Sequence, residues 1–223
     1  MGNGRGRDAL KRLWRRLRGS RAKIKVVATD MSSPYYAAVV KNLPNAKQVF
    51  DRFHITKLMN DKLTQLRRDV QAEAATMDRN VLKGLRWLLL KHPENLDDSK
   101  NERVRLQEAL DLNRSLAVAY YLKEDLSQIW QQTSKEVAAR FLTDWCRRAR
   151  ASGIRVLLTM ANTLEGYRTG ILNWYDYPIS SGPIEGINNK IGAMQRMAHG
   201  YRDKEYFIAT LYALHLAKFS LIG

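Results

Sequence analysis

The first apolar residues of the chain recur at helical spacing. Leu10, Leu13, Trp14 and Leu17 stand at positions i, i+3, i+4 and i+7, so they share one face of a helix. Arginine and lysine occupy the other face, and Gly19 follows the last apolar residue. The pattern predicts a short amphipathic helix with its apolar face packed inward and its arginines in solvent.

Two short β-branched segments come next. Residues 24–29 are predicted to form a buried strand that ends before Asp30, and residues 46–50 a second strand that ends before Asp51. Between them, two serines followed by proline are typical of a helix start, and the pattern predicts a helix over residues 35–41. This order predicts a βαβ unit with parallel strands and a right-handed crossover.

A long helical block follows, from about residue 58 to residue 176, without a segment that is typical of a strand. An apolar run that includes Trp87 marks one helix, and residues 154–174 keep helical spacing throughout. Trp145 completes a stripe spaced by four residues, which favours core packing over stacking on an unpaired base. A loop over residues 177–183 precedes two final helices.

The chain is strongly basic, which adds more to the functional interpretation than its overall composition does. The 223 residues include 38 Lys and Arg against 22 Asp and Glu, which gives a net charge of +16. Residues 1–25 contribute +9 of it, with Asp8 as their only acid. A protein this basic usually meets a polyanion, most often nucleic acid.

Other functional classes are excluded by what the sequence lacks. Cys146 is the single cysteine, which excludes a disulfide framework and a cysteine-rich zinc site. The apolar runs are shorter than the roughly 18 residues that a membrane span needs. No apolar segment typical of a secretory signal follows the basic start. We therefore expect a cytoplasmic protein that meets no membrane.

Asp30 and Asp51 are the first candidates for chemistry. Parallel neighbouring strands end at the same sheet edge, so two carboxylates just past the strands could share a divalent metal. Oxygen ligands suit Mg²⁺ or Mn²⁺. The alternative is structural, because aspartate commonly caps helices at strand-to-helix turns. His54 stands alone after the second strand, where a supporting or packing role is favoured over metal binding, and zinc is not expected.

Glu185 is a third candidate carboxylate, at the start of the first helix after the loop. Asn188 and Asn189 follow at i+3 and i+4, so the three polar side chains share a helix face that could meet a metal and a phosphate. The alternative is that the helix dipole favours an acidic residue in the first turn.

Two basic segments are candidates for DNA contact. One is the outer face of the first helix, and the other mixes basic residues with a tyrosine that could stack on a base, in the connection between the last two helices. The alternative for both is an ordinary solvated face. The residues are Arg12, Arg15, Arg16, Arg18, Lys190, Arg196, Tyr201 and Arg202.

Several motifs resemble, in order, those of the DDE transposases of bacterial insertion sequences, in the ISL-three (ISL3) family. The resemblance covers nearly the whole chain. The motifs are Asp30-Met31-Ser32, Asp51-Arg52-Phe53-His54, Gly182-Pro183-Ile184-Glu185-Gly186 and Gly200-Tyr201-Arg202-Asp203.

The resemblance implies an RNase H-like catalytic core that binds two Mg²⁺ or Mn²⁺ ions through two aspartates and a glutamate. Asp30 matches the second aspartate, Glu185 matches the glutamate, and Asp51 and His54 match a supporting motif. The expected fold is α/β and mostly helical, an incomplete RNase H-like core of two parallel strands interrupted by a large helical insertion. Its expected parts are a basic helix (1–22), the first core segment (23–57), the insertion (58–176) and the last core helices (177–223).

The chain departs from the family pattern at its start. Family members carry the first catalytic aspartate on a strand before the Asp-Met-Ser motif, and Asp8 does not match it because it stands at a helix start. We therefore expect the C-terminal part of a transposase that does not cleave DNA alone. The alternative is a non-catalytic DNA-binding fragment that associates with or inhibits a full-length transposase. Expected partners are DNA at the bacterial nucleoid and a second copy or a full-length transposase.

Overall fold

The structure is a computed structural model that describes residues 10–20, 22–74, 76–180, 182–198, 200 and 203–220. Within these ranges, some side chains lie outside the description: those of residues 12, 76, 77, 183, 184, 185, 204 and 214–220. The chain is a mostly helical α/β protein with two compact units, Met1–Ile179 and Ser180–Gly223.

The predicted βαβ unit is present. Strand β1 is Val26–Thr29, helix α2 is Ser33–Asn42 and strand β2 is Lys47–Phe50. The strands pair in parallel, with Val26 opposite Lys47 and Thr29 opposite Phe50, which confirms the predicted pairing. The prediction that β1 is buried is wrong, because all four of its residues are half-buried, whereas the last three residues of β2 are buried.

The basic helix α1 is Lys11–Gly19, and it packs on α2 through Trp14. Trp14 is 8% exposed and forms a small cluster with Ala38 and Val39. The inward placement predicted for Leu13 is wrong, since this side chain is 45% exposed. Consecutive residues of a helix are about 100° apart, so Leu13 lies at the edge of the apolar stripe when Trp14 faces α2.

The first unit continues as the predicted helical block. In the described residues between 60 and 175 no strand occurs, which confirms that prediction. The helices are α3 Arg52–Glu73, α4 Thr76–Leu82, α5 Leu85–Leu90, α6 Glu102–Leu112, α7 Arg114–Ser127, α8 Lys135–Ala151, α9 Arg155–Gly166 and α10 Arg168–Leu172. Short 3₁₀ turns occur at Pro93–Asn95, Asp98–Lys100, Gln128–Gln131 and Asn173–Tyr175.

The core of this block lies between α3, α7, α8 and α9. Trp145 is fully buried, and its indole Nε1–H donates to the carbonyl oxygen of Leu122 at 2.8 Å. Core packing, the interpretation favoured from the sequence, is therefore the role of Trp145.

The helical spacing of residues 154–174 is divided between two helices and a short 3₁₀ turn in the structure. Helix α9 ends at Gly166, and Tyr167 adopts a non-helical conformation (φ −106°, ψ 10°) before α10 begins. The break places the Tyr167 ring edge-on to Phe50 of β2, with 5.0 Å between the ring centroids. Packing against the sheet thus divides a sequence whose apolar spacing is continuous.

The helical block also closes the outer edge of β2. The side-chain Nδ2 of Asn173 donates to the carbonyl oxygen of Gln48 at 3.0 Å, and Gln48 Nε2 donates to Thr29 Oγ1 at 2.7 Å. Gly170 allows this close approach, because a Cβ at this position would lie 2.2 Å from Phe50 Cε2. Block and sheet therefore form one packed unit.

The second unit contains helix α11, Gly182–Met197, and helix α12, Lys204–Ser220. Gly200 lies between them with φ +95°, a conformation that favours glycine. The two final helices predicted after the loop are present, while the division into four parts stays a prediction. In the described parts of both units, no helix has the length and apolar character that crossing a membrane requires.

Candidate functional site

Asp30 lies directly after β1, at the carboxyl end of the parallel sheet. Its carboxylate is half-buried, and Oδ1 accepts a hydrogen bond from the backbone N–H of Ser32 at 3.1 Å. This bond shapes the turn into α2. Asp51 leaves the neighbouring strand at the same level, because its N–H donates to the carbonyl oxygen of Thr29 at 3.4 Å. Strands in a sheet lie about 4.8 Å apart, so the two aspartates leave the sheet side by side.

Asp51 is the more buried of the two, with 3% of its surface exposed. Oδ1 accepts a hydrogen bond from the N–H of Phe53 at 2.8 Å, and the residue is the N-cap of α3. The positive end of the helix dipole stabilises a carboxylate in this position. The cap is a structural role, which is compatible with the supporting position predicted for Asp51.

His54 lies in the first turn of α3 and is half-buried. Its backbone N–H donates to the carbonyl oxygen of Asp51 at 3.1 Å, and its ring is edge-on to Phe53 with 5.7 Å between centroids. The residue thus belongs to the turn that follows β2. Its supporting role in catalysis stays a prediction.

Glu185 lies on α11 in the second unit, and its side chain is outside the described part of the chain. Its predicted approach to Asp30 therefore stays a prediction. Asn188, Asn189 and Lys190 are exposed on the same helix, and Arg196 is exposed in its last turn. Tyr201, Arg202 and the side chain of Arg12 lie outside the described residues.

In the part of the chain that the structure describes, the carboxyl edge of the sheet carries few side chains that could bind a metal. Among the described side chains, no three of His, Cys, Asp or Glu come together as a group that could hold a metal ion. The carboxylate of Glu185 does not belong to that set. The sheet edge thus offers oxygen ligands from Asp30 and Asp51, of which Asp51 is already engaged at the start of α3.

The arginines of α1 lie away from its packed face. Arg15, Arg16 and Arg18 are exposed, and Arg18 Nη1 donates to Asn42 Oδ1 at 3.3 Å, which ties α1 to the end of α2. Trp14 is buried on the opposite face of the helix, where it packs against α2. Anchored in this way, α1 presents fixed positive charge beside the sheet.

The sequence did not indicate two further features. Asn173 holds the edge of β2, although no motif marks it. A basic and aromatic surface also lies on α3 and α5, where Trp87 is 65% exposed. Lys83 and Arg86 precede Trp87 in the sequence, but the surrounding leucines mark only a helix, and the arginines of α3 stand about twenty residues earlier.

The chain is similar to known transposases. A family model described as a transposase, of the DDE type in ISL3 elements, matches residues 1–211. The transposase for insertion sequence element IS1001 of Bordetella parapertussis is 35% identical over 223 residues, covering 96% of this chain and 53% of the relative. The transposase for IS1557 of Mycobacterium tuberculosis (strain ATCC 25618 / H37Rv) is 26% identical over 211 residues, covering 84% and 47%.

The chain spans about half the length of these curated relatives. No solved structure matches it. The family match nevertheless covers nearly all residues, and it includes the βαβ unit that contains Asp30 and the helix that carries Glu185. This chain therefore belongs to the ISL3 family of insertion-sequence transposases.

Proposed function

We propose that the chain forms part of the catalytic core of an insertion-sequence transposase and acts on DNA. The observation that carries the proposal is the parallel β1–α2–β2 unit, which has Asp30 directly after β1 at its carboxyl edge, in a chain that matches the transposase family over residues 1–211. An RNase H-like core has a catalytic aspartate after such a strand, as the family resemblance implies. DNA is then the substrate, and the protein acts at the bacterial nucleoid.

In this proposal Asp30 and Glu185 hold Mg²⁺ or Mn²⁺. The donor set fits such an ion, because Asp30 offers a half-buried carboxylate and hard cations prefer oxygen ligands. A bound divalent metal would supply Lewis-acid stabilisation of charge on the phosphate. Asp51 and His54 support the site by fixing the turn into α3, and Asn188 and Asn189 contribute polar groups beside Glu185.

We expect these 223 residues to bind the metal weakly and to leave DNA uncut. The family pattern requires another aspartate on an earlier strand, and Asp8 is the only acidic residue before Asp30 in this sequence. Two carboxylates neutralise less of the positive charge of two divalent ions than three carboxylates would. A full-length transposase that supplies this aspartate would complete the ligand set, which makes such a transposase the expected partner.

Metal binding and DNA cleavage test the proposal separately. We expect Mn²⁺ titration of the full chain, followed by electron paramagnetic resonance, to show a weak site that Asp30→Asn abolishes. Asp98→Asn is the matched control, because Asp98 is exposed in the helical block and pairs with Arg103. Equal Mn²⁺ binding by Asp30→Asn and the unaltered chain would show that Asp30 is not a ligand.

Cleavage is measured on labelled insertion-sequence end DNA with Mg²⁺ or Mn²⁺. We expect none from the chain alone, and any activity gained with a full-length transposase should disappear when Asp30 is replaced in both chains. Cleavage that persists with Asp30→Asn, in a preparation free of contaminating nuclease, would contradict the assignment.

A second candidate function is a non-catalytic DNA-binding fragment that inhibits a full-length transposase. The observation that favours it is α1, whose exposed arginines are held beside the sheet by Trp14. In that case Asp30→Asn should inhibit transposition by the full-length protein as strongly as the unaltered chain does. Reduced inhibition by Asp30→Asn would favour the catalytic core instead.

A further inference from the structure

The helical block carries an exposed tryptophan beside a group of arginines. Trp87 on α5 is 65% exposed, while Trp14 and Trp145 are buried. The Arg86 guanidinium carbon lies 4.9 Å from the centroid of the Trp87 ring, a cation–π contact. We call Arg67, Arg68, Arg86 and Trp87 the Arg–Trp surface.

The positive charge of the Arg–Trp surface is not balanced by carboxylates. Among the described residues, none of its three arginines forms a salt bridge, whereas Arg103, Arg147 and Arg150 each pair with an acid. This contrast sets the surface apart from the ordinary ion-paired faces of the same block.

Arg67 shows how closely the charges are grouped. It is partly buried, its Nη1 donates to Gln71 Oε1 at 2.5 Å, and its Nε is buried without a hydrogen-bond partner. Burial lowers the pKa of Arg67, and repulsion from Arg68 and Arg86 lowers it further. Grouped like charges repel, so an anion bound beside these arginines would relieve the repulsion.

The exposed ring of Trp87 indicates which chemical group an anionic ligand would place beside its phosphates. Arg86 contacts the Trp87 ring, and the large exposed area of Trp87 leaves ring surface open to solvent. The faces of bases in a duplex are covered by their neighbours, whereas an unpaired base can stack on an exposed aromatic ring. Phosphates flanking that base would lie near the arginines.

We propose that the Arg–Trp surface binds an unpaired stretch of DNA, with Trp87 stacking on a base and Arg68 and Arg86 contacting the adjacent phosphates. Arg67 lies deeper and adds to the positive field. The inference rests on the proposed function for its choice of DNA as the polyanion. It adds a single-strand binding site on the helical block, remote in sequence from the candidate catalytic residues.

Single-strand affinity is the first test, measured with the full chain, a labelled 20-nucleotide DNA strand and its duplex. Removing a base–aromatic stack weakens binding by roughly 5- to 100-fold, so we expect that loss for Trp87→Ala on the single strand and little change on the duplex. The matched control is Tyr121→Ala, which removes another exposed aromatic side chain, with 55% of Tyr121 exposed. Equal single-strand affinity of the two variants would overturn the proposal.

Phosphate contact is tested by the salt dependence of single-strand binding. Each neutralised phosphate contributes about −0.7 to the slope of log affinity against log salt, so Arg68→Gln with Arg86→Gln should flatten the slope by roughly 1.4. Arg103→Gln with Arg147→Gln is the control, since it removes the same charge from arginines that are ion-paired. An equal effect of the two double variants would show general electrostatics and overturn the site.

Tryptophan fluorescence locates the base directly. We expect the single strand to quench the unaltered chain, and Trp87→Phe to lose most of the quenching while it keeps most of the affinity, because phenylalanine still offers a ring. Quenching that persists in Trp87→Phe would place the base elsewhere. If the unaltered chain binds neither DNA form at low salt, DNA as partner fails and the proposed function with it; if it binds and the variants match their controls, this inference alone fails.

Discussion

Asp30 and Asp51 are the same residue type at the same sheet edge, but their surroundings differ. Asp51 is almost completely buried and accepts a hydrogen bond at the start of α3, whereas Asp30 is half-buried in the turn before α2. A buried carboxylate at a helix start is explained by the fold, because the helix dipole stabilises it. The partly exposed Asp30 is the better placed of the two for a ligand to reach.

Replacing Asp51 should therefore affect stability. Loss of an N-cap side chain costs about 1 kcal/mol, within a range of about 0.5–2 kcal/mol, so we expect Asp51→Ala to lower the free energy of unfolding by about that amount. Urea unfolding followed by circular dichroism measures it. Asp61→Ala, an exposed position within the same helix, should have a much smaller effect. Equal losses in the two variants would contradict the cap.

The single thiol, Cys146, should be unreactive in the native protein. It is fully buried on α8, and burial raises the pKa of Cys146 to about 11, with a smaller contribution from the charge of Glu165. The thiolate is the reactive form, and a free cysteine has a pKa of about 8.5. With Ellman's reagent at pH 8 we expect the native chain to react more than about 100-fold slower than the chain unfolded in urea.

The same shift makes stability depend on pH. Since the pKa of Cys146 is higher in the folded state than in the unfolded state, the neutral thiol favours folding below about pH 8.5, and this contribution is lost as the pH rises towards about 11. The stability of the unaltered chain should therefore fall relative to that of Cys146→Ala across this range. Parallel pH profiles of the two proteins would contradict the shift.

At the scale of elements, local pattern predicted which helices and strands exist, and tertiary contacts decided where they end. The βαβ unit follows from β-branched runs and a proline-marked helix start, which are local signals. The break at Tyr167 does not, because it depends on contact with Phe50, more than 100 residues earlier. The exposure of Leu13 and Trp87 likewise depends on which neighbour covers each helix face, and the sequence does not contain that information locally.

The contact between α10 and β2 predicts a sharp difference between two glycines. Gly170→Ala would place a Cβ 2.2 Å from Phe50 Cε2, so we expect a loss of about 1–3 kcal/mol, or more, in the free energy of unfolding. Gly166→Ala, at the end of α9, meets nothing within 4 Å and should be neutral or stabilising by up to about 1 kcal/mol. Thermal unfolding of both variants measures the difference, and a stable Gly170→Ala would show that α10 is not held against the sheet.

At the scale of the whole molecule, the net charge of +16 should make duplex DNA binding sensitive to salt. If the face of α1 meets phosphate, replacing Arg12, Arg15, Arg16 and Arg18 by Gln flattens the log–log salt slope by about 0.9 for each phosphate that is no longer neutralised. The control replaces Arg103, Arg147, Arg150 and Arg155, which lie within 4.0 Å of carboxylates. If both quadruple variants have the same slope, α1 does not bind phosphate.

The candidate site was predictable only in part. Residue order and motif spacing predicted Asp30, Asp51 and Glu185 as site residues, and strand pairing explains why the first two lie at one edge. Whether Glu185 joins them depends on the arrangement of two compact units, which no local pattern encodes. The Arg–Trp surface was missed because its members come from α3 and α5, separated by about twenty residues, and only folding brings them together.

The hydrogen bond between Asn173 and Gln48 joins residues 125 positions apart, and this has a consequence for biosynthesis. At a synthesis rate of about 5–20 residues per second, both strands leave the ribosome roughly 6–25 s before α10 and Asn173 exist to cover them. A two-stranded sheet is at best marginally stable in water, so in that interval the strand pair has little reason to persist. Although β1 and β2 are made early, they take their final place only after the helical block has been synthesised.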